Sequence, residues 1–154
     1  MSMGKPMANY AAARRVGEFV FMSGVVAVDP ATRRAVAGYD EIPEAARHAL
    51  KGLGFVTDQM SVDVFEAPIV AQSWFVLERI RALAAEHGGS MADVVKLVQY
   101  FRHLPHYAPY NRVRGLFYPG LPPVSTVVEV SRFLPGDEVL LEIEATMYLP
   151  RTQP

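Results

Sequence analysis

The chain contains no cysteine among its 154 residues. This absence excludes disulfides, thiolate nucleophiles and cysteine-ligated zinc, and it fits a reducing cytoplasm. An excess of either charge is also lacking, because 15 basic residues stand against 16 acidic ones and the formal net charge is -1. Proteins that bind nucleic acid through its phosphates carry a basic surface. The composition therefore gives no reason to expect a nucleic-acid partner.

Membrane-spanning runs, leaders and repeats are missing as well. No uninterrupted apolar run approaches the roughly 18 residues that a membrane span needs. The N-terminal segment from Met1 to Pro6 lacks the apolar stretch of a signal peptide. The hydrophobic content of 51% is enough to build a core in a chain of this length. We therefore expect one cytoplasmic domain over residues 1–154 with no membrane partner.

The stretch richest in β-forming residues lies between residues 121 and 149. Segments 124–133 and 139–149 are dominated by β-branched, leucine and aromatic residues. Residues 134–137 separate the two segments with a Pro-Gly-Asp sequence that favours a turn. The pattern predicts two strands paired as an antiparallel hairpin.

Glu142 lies in the middle of the second of these strands, among apolar residues. The two-residue period of a strand separates two faces. One face carries Leu140, Glu142, Glu144 and Thr146, and the other carries Leu141, Ile143, Ala145 and Met147. A carboxylate in this position faces either solvent or a polar pocket. The solvated face is the more common case, because unpaired carboxylates are rarely buried.

The other elements follow from periodicity and from Gly and Pro signals. Strands are predicted over 10–15, 19–22, 25–28, 60–65 and 94–101, and helices over 43–53, 70–87 and 105–118. In the helix at 70–87, Arg79 lies off the apolar stripe. Ser23 and Gly24 interrupt a strand pattern, which indicates a bulge, a close backbone approach or a simple kink. The order of elements predicts an α+β domain with its helices on one sheet face and the other face covered by another subunit.

Two histidines are spaced as His-x-x-His, at His103 and His106. On a helix this spacing could bind a metal, but Pro105 lies between them and no carboxylate is nearby in sequence. A loop or capping role is the preferred interpretation, and no metal site is predicted. The sequence also has no Gly-x-Ser-x-Gly nucleophile motif and no phosphate-binding loop.

Arg112 and Arg114 follow Asn111 in the helix predicted at 105–118. The two arginines could bind an anion, although a solvated helix face is the more common explanation for such a pair. Asn111 lies one helical turn before Arg114, so these two side chains could face the same cleft.

Several short motifs are individually weak but together specific in order and spacing. They are Tyr10, Gly17, Ser23-Gly24, Asp29-Pro30-x-Thr32, Asp93-Val94-Val95-Lys96, Asn111 with Phe117-Tyr118, Pro122 to Val130, Leu134-Pro135 and Glu142-Ile143-Glu144-Ala145. On these residues the chain resembles the reactive-intermediate deaminase family, also called Rid or YjgF-like. The resemblance covers most of the chain apart from residues 38–68, which look like an insertion. Three roles are open for this insertion: a lid, an additional part of a subunit interface, or no function.

The resemblance implies a chorismate-mutase-like α+β fold, with a mixed sheet, two main helices on one face and a homotrimer with a barrel-like core. Deaminating members hydrolyse enamines and imines in clefts between subunits, without metal or cofactor. In them an arginine in the segment Pro-x-Arg-x-x-Val-Glu-Val binds the substrate carboxylate. A glutamate at the place of Glu142 positions the attacking water, and a tyrosine at the place of Tyr10 lines the cleft from a neighbouring subunit. Ser23, Gly24 and Asn111 also match cleft positions.

The chain departs from that pattern at Ser125, which stands where the arginine belongs. A hydroxyl cannot make the bidentate contact of a guanidinium with a carboxylate, and losing that contact costs about 1.5–3 kcal/mol. Val127, where the family usually has cysteine or threonine, makes the neighbouring wall apolar. Three explanations remain open: Arg114 or, less favoured, Arg112 supplies the cation; the substrate lacks a carboxylate; or the pocket binds without turnover.

The leading hypothesis is a homotrimeric hydrolase of a small imine, enamine or related carbonyl-conjugated metabolite. Glu142 would hold and deprotonate water, with Asn111 and Ser125 donating hydrogen bonds and Tyr10 shaping the cleft. Apolar surroundings that raise the pKa of Glu142 would favour this role. The alternatives are a trimeric metabolite-binding module and, less favoured because of the near-neutral charge, a protein that cleaves RNA or inhibits translation.

Overall fold

The computed structural model describes residues 6–151. The strands are β1 (Ala13–Val16), β2 (Phe19–Met22), β3 (Val25–Val26), β4 (Val28–Asp29), β5 (Arg34–Ala35), β6 (Val94–Phe101), β7 (Val124–Glu129) and β8 (Leu141–Tyr148). The helices are α1 (Glu44–Gly52), α2 (Met60–Glu86) and α3 (Tyr107–Arg114), with single 3-10 turns at Tyr39–Glu41, Met91–Asp93 and Leu104–His106. The main sheet has the order β1-β2-β8-β6-β7, and β3 also pairs with β8. The predicted α+β class, with a mixed sheet and two main helices, is confirmed.

The predicted C-terminal hairpin is wrong, because β7 and β8 are not adjacent. Both strands flank β6: β7 pairs with it in parallel, and β8 pairs with it in antiparallel. The connection between them does not turn tightly, since Phe133 and Val139 are buried in a small cluster with Val26 and Val28. Turn residues show that the chain turns, but the choice of partner strand depends on apolar contacts far away in sequence.

The strand predicted at 60–65 is also wrong, because these residues form the first turns of α2, Met60–Glu86. The side chain of Asp63 accepts hydrogen bonds from the backbone N–H groups of Thr57 at 2.9 Å and Asp58 at 3.0 Å, which fixes the start of the helix. Short apolar alternation does not distinguish a strand from one side of a helix, and the contacts of Asp63 with the segment before the helix favour the helix here.

Within residues 6–151, α2 is the one helix long and apolar enough to cross a bilayer, with a window of mean hydropathy 1.2. Half of that window is buried inside the domain. Gln72 and Ser73 interrupt its apolar residues and are themselves buried, which is why no long apolar run was evident in the sequence. The helix packs against β8 and α3 and forms the centre of the core.

The two faces of β8 are those that the two-residue period predicts. Leu141, Ile143, Ala145 and Met147 are buried on the helix side, whereas Glu142 is half-buried and Glu144 is exposed. In the ladder, Glu142 lies opposite Tyr100, and Tyr100 lies opposite Val128. These side chains therefore share the sheet face that carries no helix.

Ser125 belongs to the other face of the sheet. It lies opposite Leu97 on β6, and Leu97 lies opposite Ala145 on β8. Both Leu97 and Ala145 are buried on the helix side. Ser125 and Glu142 consequently lie on opposite faces of the sheet, two strands apart.

Candidate functional site

Arg114 lies beside Ser125, at the edge of the sheet formed by β7. Its Nη1 donates to Gln99 Oε1 at 2.9 Å and to Ser125 Oγ at 3.2 Å. Its Nη2 donates to Asn111 Oδ1 at 2.7 Å, one helical turn away. The guanidinium is thus fixed from three sides. The structure brings together three residues singled out in the sequence, Asn111, Arg114 and Ser125, and we call them the Arg114 group.

Gln99 organises this group and was not predicted from the sequence. It is fully buried on β6 and donates from Nε2 to Ser125 Oγ at 2.6 Å and to the Thr126 carbonyl at 3.0 Å. The Tyr110 hydroxyl donates to Gln99 Oε1 at 2.6 Å. Burial raises the pKa of Tyr110, so its hydroxyl remains a donor and holds Gln99 Oε1 as an acceptor for Arg114. The signal in the sequence that could have identified Gln99 is its position inside an apolar strand.

Arg112 does not join the Arg114 group. Its guanidinium lies over the Phe55 ring, 4.5 Å from the centroid, and donates to the Leu53 carbonyl. It therefore connects α3 to the segment that follows α1. Of the two arginines considered as a replacement cation, Arg114 alone contacts Ser125 within the described chain.

Val127 lies two residues after Ser125 on β7 and shares its sheet face. It is opposite Gln99 in the ladder and packs, half-buried, against the main core. The wall next to the Arg114 group is therefore apolar at this position, as the sequence predicts.

Glu142 lies away from the Arg114 group, against Gly24. Val26 on β3 is its partner in the ladder, and Gly24 precedes that strand. Burial, and after it the negative charge of Glu144, raises the pKa of the Glu142 carboxyl. A carboxylate with a raised pKa accepts a proton more readily near neutral pH, as a general base requires.

A cavity of about 590 Å³ opens next to Gly24. Tyr10, Ser23 and Gly24 line it together, so three residues predicted for one cleft do share a space. The Ser23 hydroxyl donates to the Ala11 carbonyl at 2.7 Å, which holds the N-terminal segment against β3. Glu142 and the Arg114 group are not among the lining residues of the described chain.

Arg79 on α2 also lines this cavity and was not predicted as a site residue. It is half-buried, and its Nη1 donates to the Val28 carbonyl at 3.1 Å. Its guanidinium lies 5.7 Å from the centroid of the Phe75 ring. Its place off the apolar stripe of the helix suggested only that it would not belong to the core.

His106 is the last residue of the 3-10 turn Leu104–His106, and His103 immediately precedes that turn. Their ring centroids are 5.4 Å apart in an edge-to-face arrangement. Burial, and after it the neighbouring His103, lowers the pKa of His106. In the part of the chain from 6 to 151, no group of three or more His, Asp or Glu side chains is placed to hold a metal ion.

The predicted site residues therefore form two groups in one chain. The Arg114 group lies on the helix side of β7, whereas Glu142 and the cavity residues Tyr10, Ser23 and Gly24 lie around β3. The strand register places Glu142 and Ser125 on opposite sheet faces. A single copy does not bring the acid and the cation to one substrate.

The comparisons of this chain with known proteins all indicate the same family. The model of the family described as Endoribonuclease L-PSP matches residues 54–149. A RutC family protein from Pyrococcus abyssi is 33% identical over 144 residues, which cover 94% of this chain and 89% of that protein.

Two solved structures agree with this. A Klebsiella pneumoniae protein, provisionally described as an endoribonuclease, is 53% identical with a TM-score of 0.87 and covers 92% of this chain and 100% of its own. RidA from an Antarctic Psychrobacter is 25% identical with a TM-score of 0.70 and covers 95% of this chain and 93% of its own. The chain therefore belongs to the Rid/YjgF family, whose model carries the description Endoribonuclease L-PSP.

Proposed function

We propose that the protein is a cytoplasmic Rid-type hydrolase that converts a small imine or enamine into a carbonyl compound and ammonia. The proposal depends on the hydrogen bond of 3.2 Å from Arg114 Nη1 to Ser125 Oγ. Ser125 stands where deaminating members of the family have their carboxylate-binding arginine. A cation therefore still lies at this position, but it comes from helix α3 instead of strand β7.

Arg114 has donors to spare for a substrate. A guanidinium carries five N–H groups. Three of its hydrogen bonds go to Gln99, Ser125 and Asn111. One N–H on Nε and one on Nη2 remain, which is enough for a bidentate contact with a carboxylate. A 2-imino acid therefore remains a suitable substrate despite the loss of the strand arginine.

Glu142 would supply the base for hydrolysis. It takes a proton from water while the water oxygen forms a bond to the imine carbon, which gives a carbinolamine. The proton is then delivered to nitrogen, the C–N bond breaks, and ammonia leaves as the carbonyl forms. One imine and one water thus give one carbonyl compound and one ammonia, with no oxidant or cofactor needed. An enamine enters this sequence after protonation at carbon.

A complete site requires a second copy of the chain, because Glu142 and Ser125 lie on opposite faces of the sheet. We propose a homotrimer in which each cleft combines the Arg114 group of one copy with Glu142 and Tyr10 of its neighbour. Val124 and Val128 on the edge strand β7 support this, since they are 67% and 39% exposed in the single chain. Exposed apolar edge strands are normally covered by another chain.

The direct test is release of ammonia from imines generated in place by an amino-acid oxidase. The protein is expected to accelerate release from carboxylated imines, and Glu142→Gln is expected to lower kcat by at least about a hundredfold. Glu144→Gln, on the same strand but exposed, is the matched control and should retain turnover. No acceleration with any imine, carboxylated or neutral, would reject the hydrolase.

A metabolite-binding module without turnover is the second candidate. The observation that favours it is the cavity next to Gly24, which Glu142 does not line. Calorimetry separates the two candidates: saturable binding of metabolites without any product supports the module, and release of ammonia rejects it.

An activity on RNA is less favoured, although the family model and the Klebsiella protein carry the word endoribonuclease. The formal net charge of this chain is -1. Binding to phosphates normally depends on a basic surface. Salt-dependent RNA binding by the purified protein would restore this candidate.

A further inference from the structure

Gln99 is a fully buried amide in which every hydrogen-bonding position is used. Its Nε2 donates to Ser125 Oγ and to the Thr126 carbonyl. Its Oε1 accepts from the Tyr110 hydroxyl and from Arg114 Nη1. A primary amide has two N–H donors and two lone pairs on its oxygen, so these contacts satisfy it completely. A buried polar network that is fully satisfied is rigid and fixes the groups around it.

The orientation of this amide is decided by two partners that each have a single role. The Thr126 carbonyl only accepts hydrogen bonds, so it requires the NH2 end of Gln99. The Arg114 guanidinium only donates hydrogen bonds, so it requires the carbonyl end. A reversed amide would place oxygen against oxygen and N–H against N–H, which leaves buried groups without partners at a cost in free energy. The direction of each hydrogen bond around Gln99 is therefore determined.

This direction decides what Ser125 can offer to a ligand. Its Oγ accepts from Gln99 Nε2 at 2.6 Å and from Arg114 Nη1 at 3.2 Å. A serine hydroxyl has two lone pairs and one hydrogen, so both lone pairs are occupied and only the hydrogen remains. Ser125 is exposed, and within residues 6–151 its hydroxyl donates to no acceptor. Towards a ligand, Ser125 therefore acts as a donor.

Asn111 has the same polarity on the helix side. Its Oδ1 accepts from Arg114 Nη2 at 2.7 Å and from the Tyr107 hydroxyl at 3.5 Å, which leaves its side-chain NH2 group to donate elsewhere. The groups that remain for a ligand are the Ser125 O–H, this NH2 group and the unused N–H groups of Arg114. All of these are donors. Such a surface matches a carboxylate, whose oxygens only accept, and opposes a primary amide, which brings N–H groups of its own.

We infer that Gln99 is a positioning residue that sets the polarity of the Arg114 group and thereby makes it select a carboxylate over the corresponding amide. Gln99 acts through Ser125 and Arg114, because it is buried beneath both. The inference rests on the proposed function for the ligand, which is the carboxylate of a 2-imino acid. It adds that selectivity depends on the direction of buried hydrogen bonds as well as on the guanidinium charge.

The test compares pyruvate with pyruvamide, which has the same shape without the charge, by isothermal titration calorimetry. The wild-type protein is expected to bind pyruvate at least about tenfold more tightly than pyruvamide. Gln99→Met keeps the Arg114 charge but removes the amide, so Ser125 is no longer restricted to donating. The ratio of the two affinities should then fall at least about threefold.

Gln72→Met is the matched control, because Gln72 is also a buried amide, bonded to Val36, Glu138 and Leu140 and remote from the Arg114 group. Both methionine variants should lower the thermal unfolding temperature, but Gln72→Met should keep the wild-type ratio of affinities. A purely structural role for Gln99 would make the two variants alike.

Ser125 provides a second test on an exposed residue, which stays decisive even if Gln99→Met does not fold. Ser125→Thr keeps the hydroxyl, whereas Ser125→Val has the shape of the threonine without it. The threonine variant should keep the wild-type ratio, and the valine variant should lower it at least about threefold.

Three results would overturn the inference: no saturable binding of pyruvate by the wild type, an unchanged ratio in Gln99→Met, or equal ratios in the two Ser125 variants. Ammonia release from imines is measured separately. A wild type that prefers pyruvate but hydrolyses no imine would reject the hydrolase and still support the role of Gln99. An active hydrolase with an unchanged ratio in Gln99→Met would reject the role of Gln99 alone.

Discussion

The carboxylate of Glu142 lies so close to the backbone of Gly24 that any side chain at residue 24 would displace it. A Cβ there would overlap Glu142 Oε1 and come within 2.8 Å of its Cδ. The φ angle of Gly24 is not in the left-handed region, so space rather than backbone conformation requires glycine. Of the alternatives that the sequence left open at this point, the close backbone approach is the right one. The absence of a side chain at Gly24 therefore determines the position of the Glu142 carboxylate.

Gly24→Ala is therefore expected to damage the site more than the fold. The new methyl group meets the flexible end of a side chain, so it displaces the carboxylate, and stability should change by no more than about 1 kcal/mol. Turnover of a confirmed imine substrate should fall at least about tenfold, equivalent to about 1.4 kcal/mol of barrier. Thermal unfolding and ammonia release measure the two effects.

Gly52→Ala is the control for that comparison, because a Cβ at residue 52 has nothing within 4 Å and the residue ends helix α1. The control should keep full activity and equal or higher stability. Unchanged turnover in Gly24→Ala would show that the place of the Glu142 carboxylate does not matter.

The raised pKa of Glu142 predicts a particular dependence of stability on pH. Because the folded state holds this proton more tightly than the unfolded chain, the stability it contributes is complete below the ordinary carboxyl pKa. That contribution is lost as pH rises through the raised pKa of the folded state. Glu142→Gln removes it, so the variant should gain stability relative to the wild type as pH rises. Urea unfolding from about pH 4 to about pH 8 covers the transition.

The same titration should appear in catalysis. A protonated Glu142 cannot accept a proton from water, so kcat/KM should fall as pH drops through its raised pKa. Glu144→Gln removes the second cause of the raised pKa and should shift the profile to lower pH. Identical stability curves for the wild type and Glu142→Gln, or a flat rate profile, would contradict this role.

Local patterns were enough to predict much of the fold, but not the strand pairing. The alternation along β8 depends only on neighbouring residues, and it correctly separates Ile143 from Glu142. The pairing of β7 depends on β6, which lies on the other side of α3 in sequence, and no local pattern encodes it. This is why the turn signal predicts a hairpin that the structure does not contain.

The site shows the same limit. Ser125 and Arg114 could each be singled out, but their contact depends on Gln99, which is buried beneath both. A polar residue in an apolar pattern signals an internal partner without naming it. Arg79 is comparable: its position on the helix is local, but its acceptor on Val28 is 51 residues away. Whether residues 38–68 are an insertion relative to the family stays a prediction.

Arg114 and Arg112 offer a matched pair of variants two residues apart. Arg114→Gln should raise KM for a carboxylated imine at least about tenfold, because the charged contact is lost, and should have little effect on a neutral imine. Arg112→Gln removes the contact with the Phe55 ring and should cost about 0.5–1 kcal/mol of stability without changing KM. Steady-state kinetics with both substrates and thermal unfolding separate the two roles. An equal rise of KM in both variants would mean that the cation site is not confined to Arg114.

The arrangement of Glu142 and Ser125 on opposite sheet faces predicts complementation between two copies that are each impaired at low concentrations of a carboxylated imine. Glu142→Gln keeps Arg114, and Arg114→Gln keeps Glu142, so a cleft between the two variants can contain both wild-type residues. Co-expression in equal amounts should give trimers with a mass three times the 17.0 kDa of one chain. Each mixed trimer then has one intact cleft of three, and about a quarter of all clefts in the population are intact. Activity should therefore recover to about a quarter of the wild-type value after co-expression, but not after mixing of trimers that do not exchange subunits. A site built within one chain gives no recovery at all, since each copy would carry one defect.

Differently tagged chains, purified through both tags and weighed by analytical ultracentrifugation, make the assignment direct. A monomer in solution would overturn the shared cleft before any rate is measured.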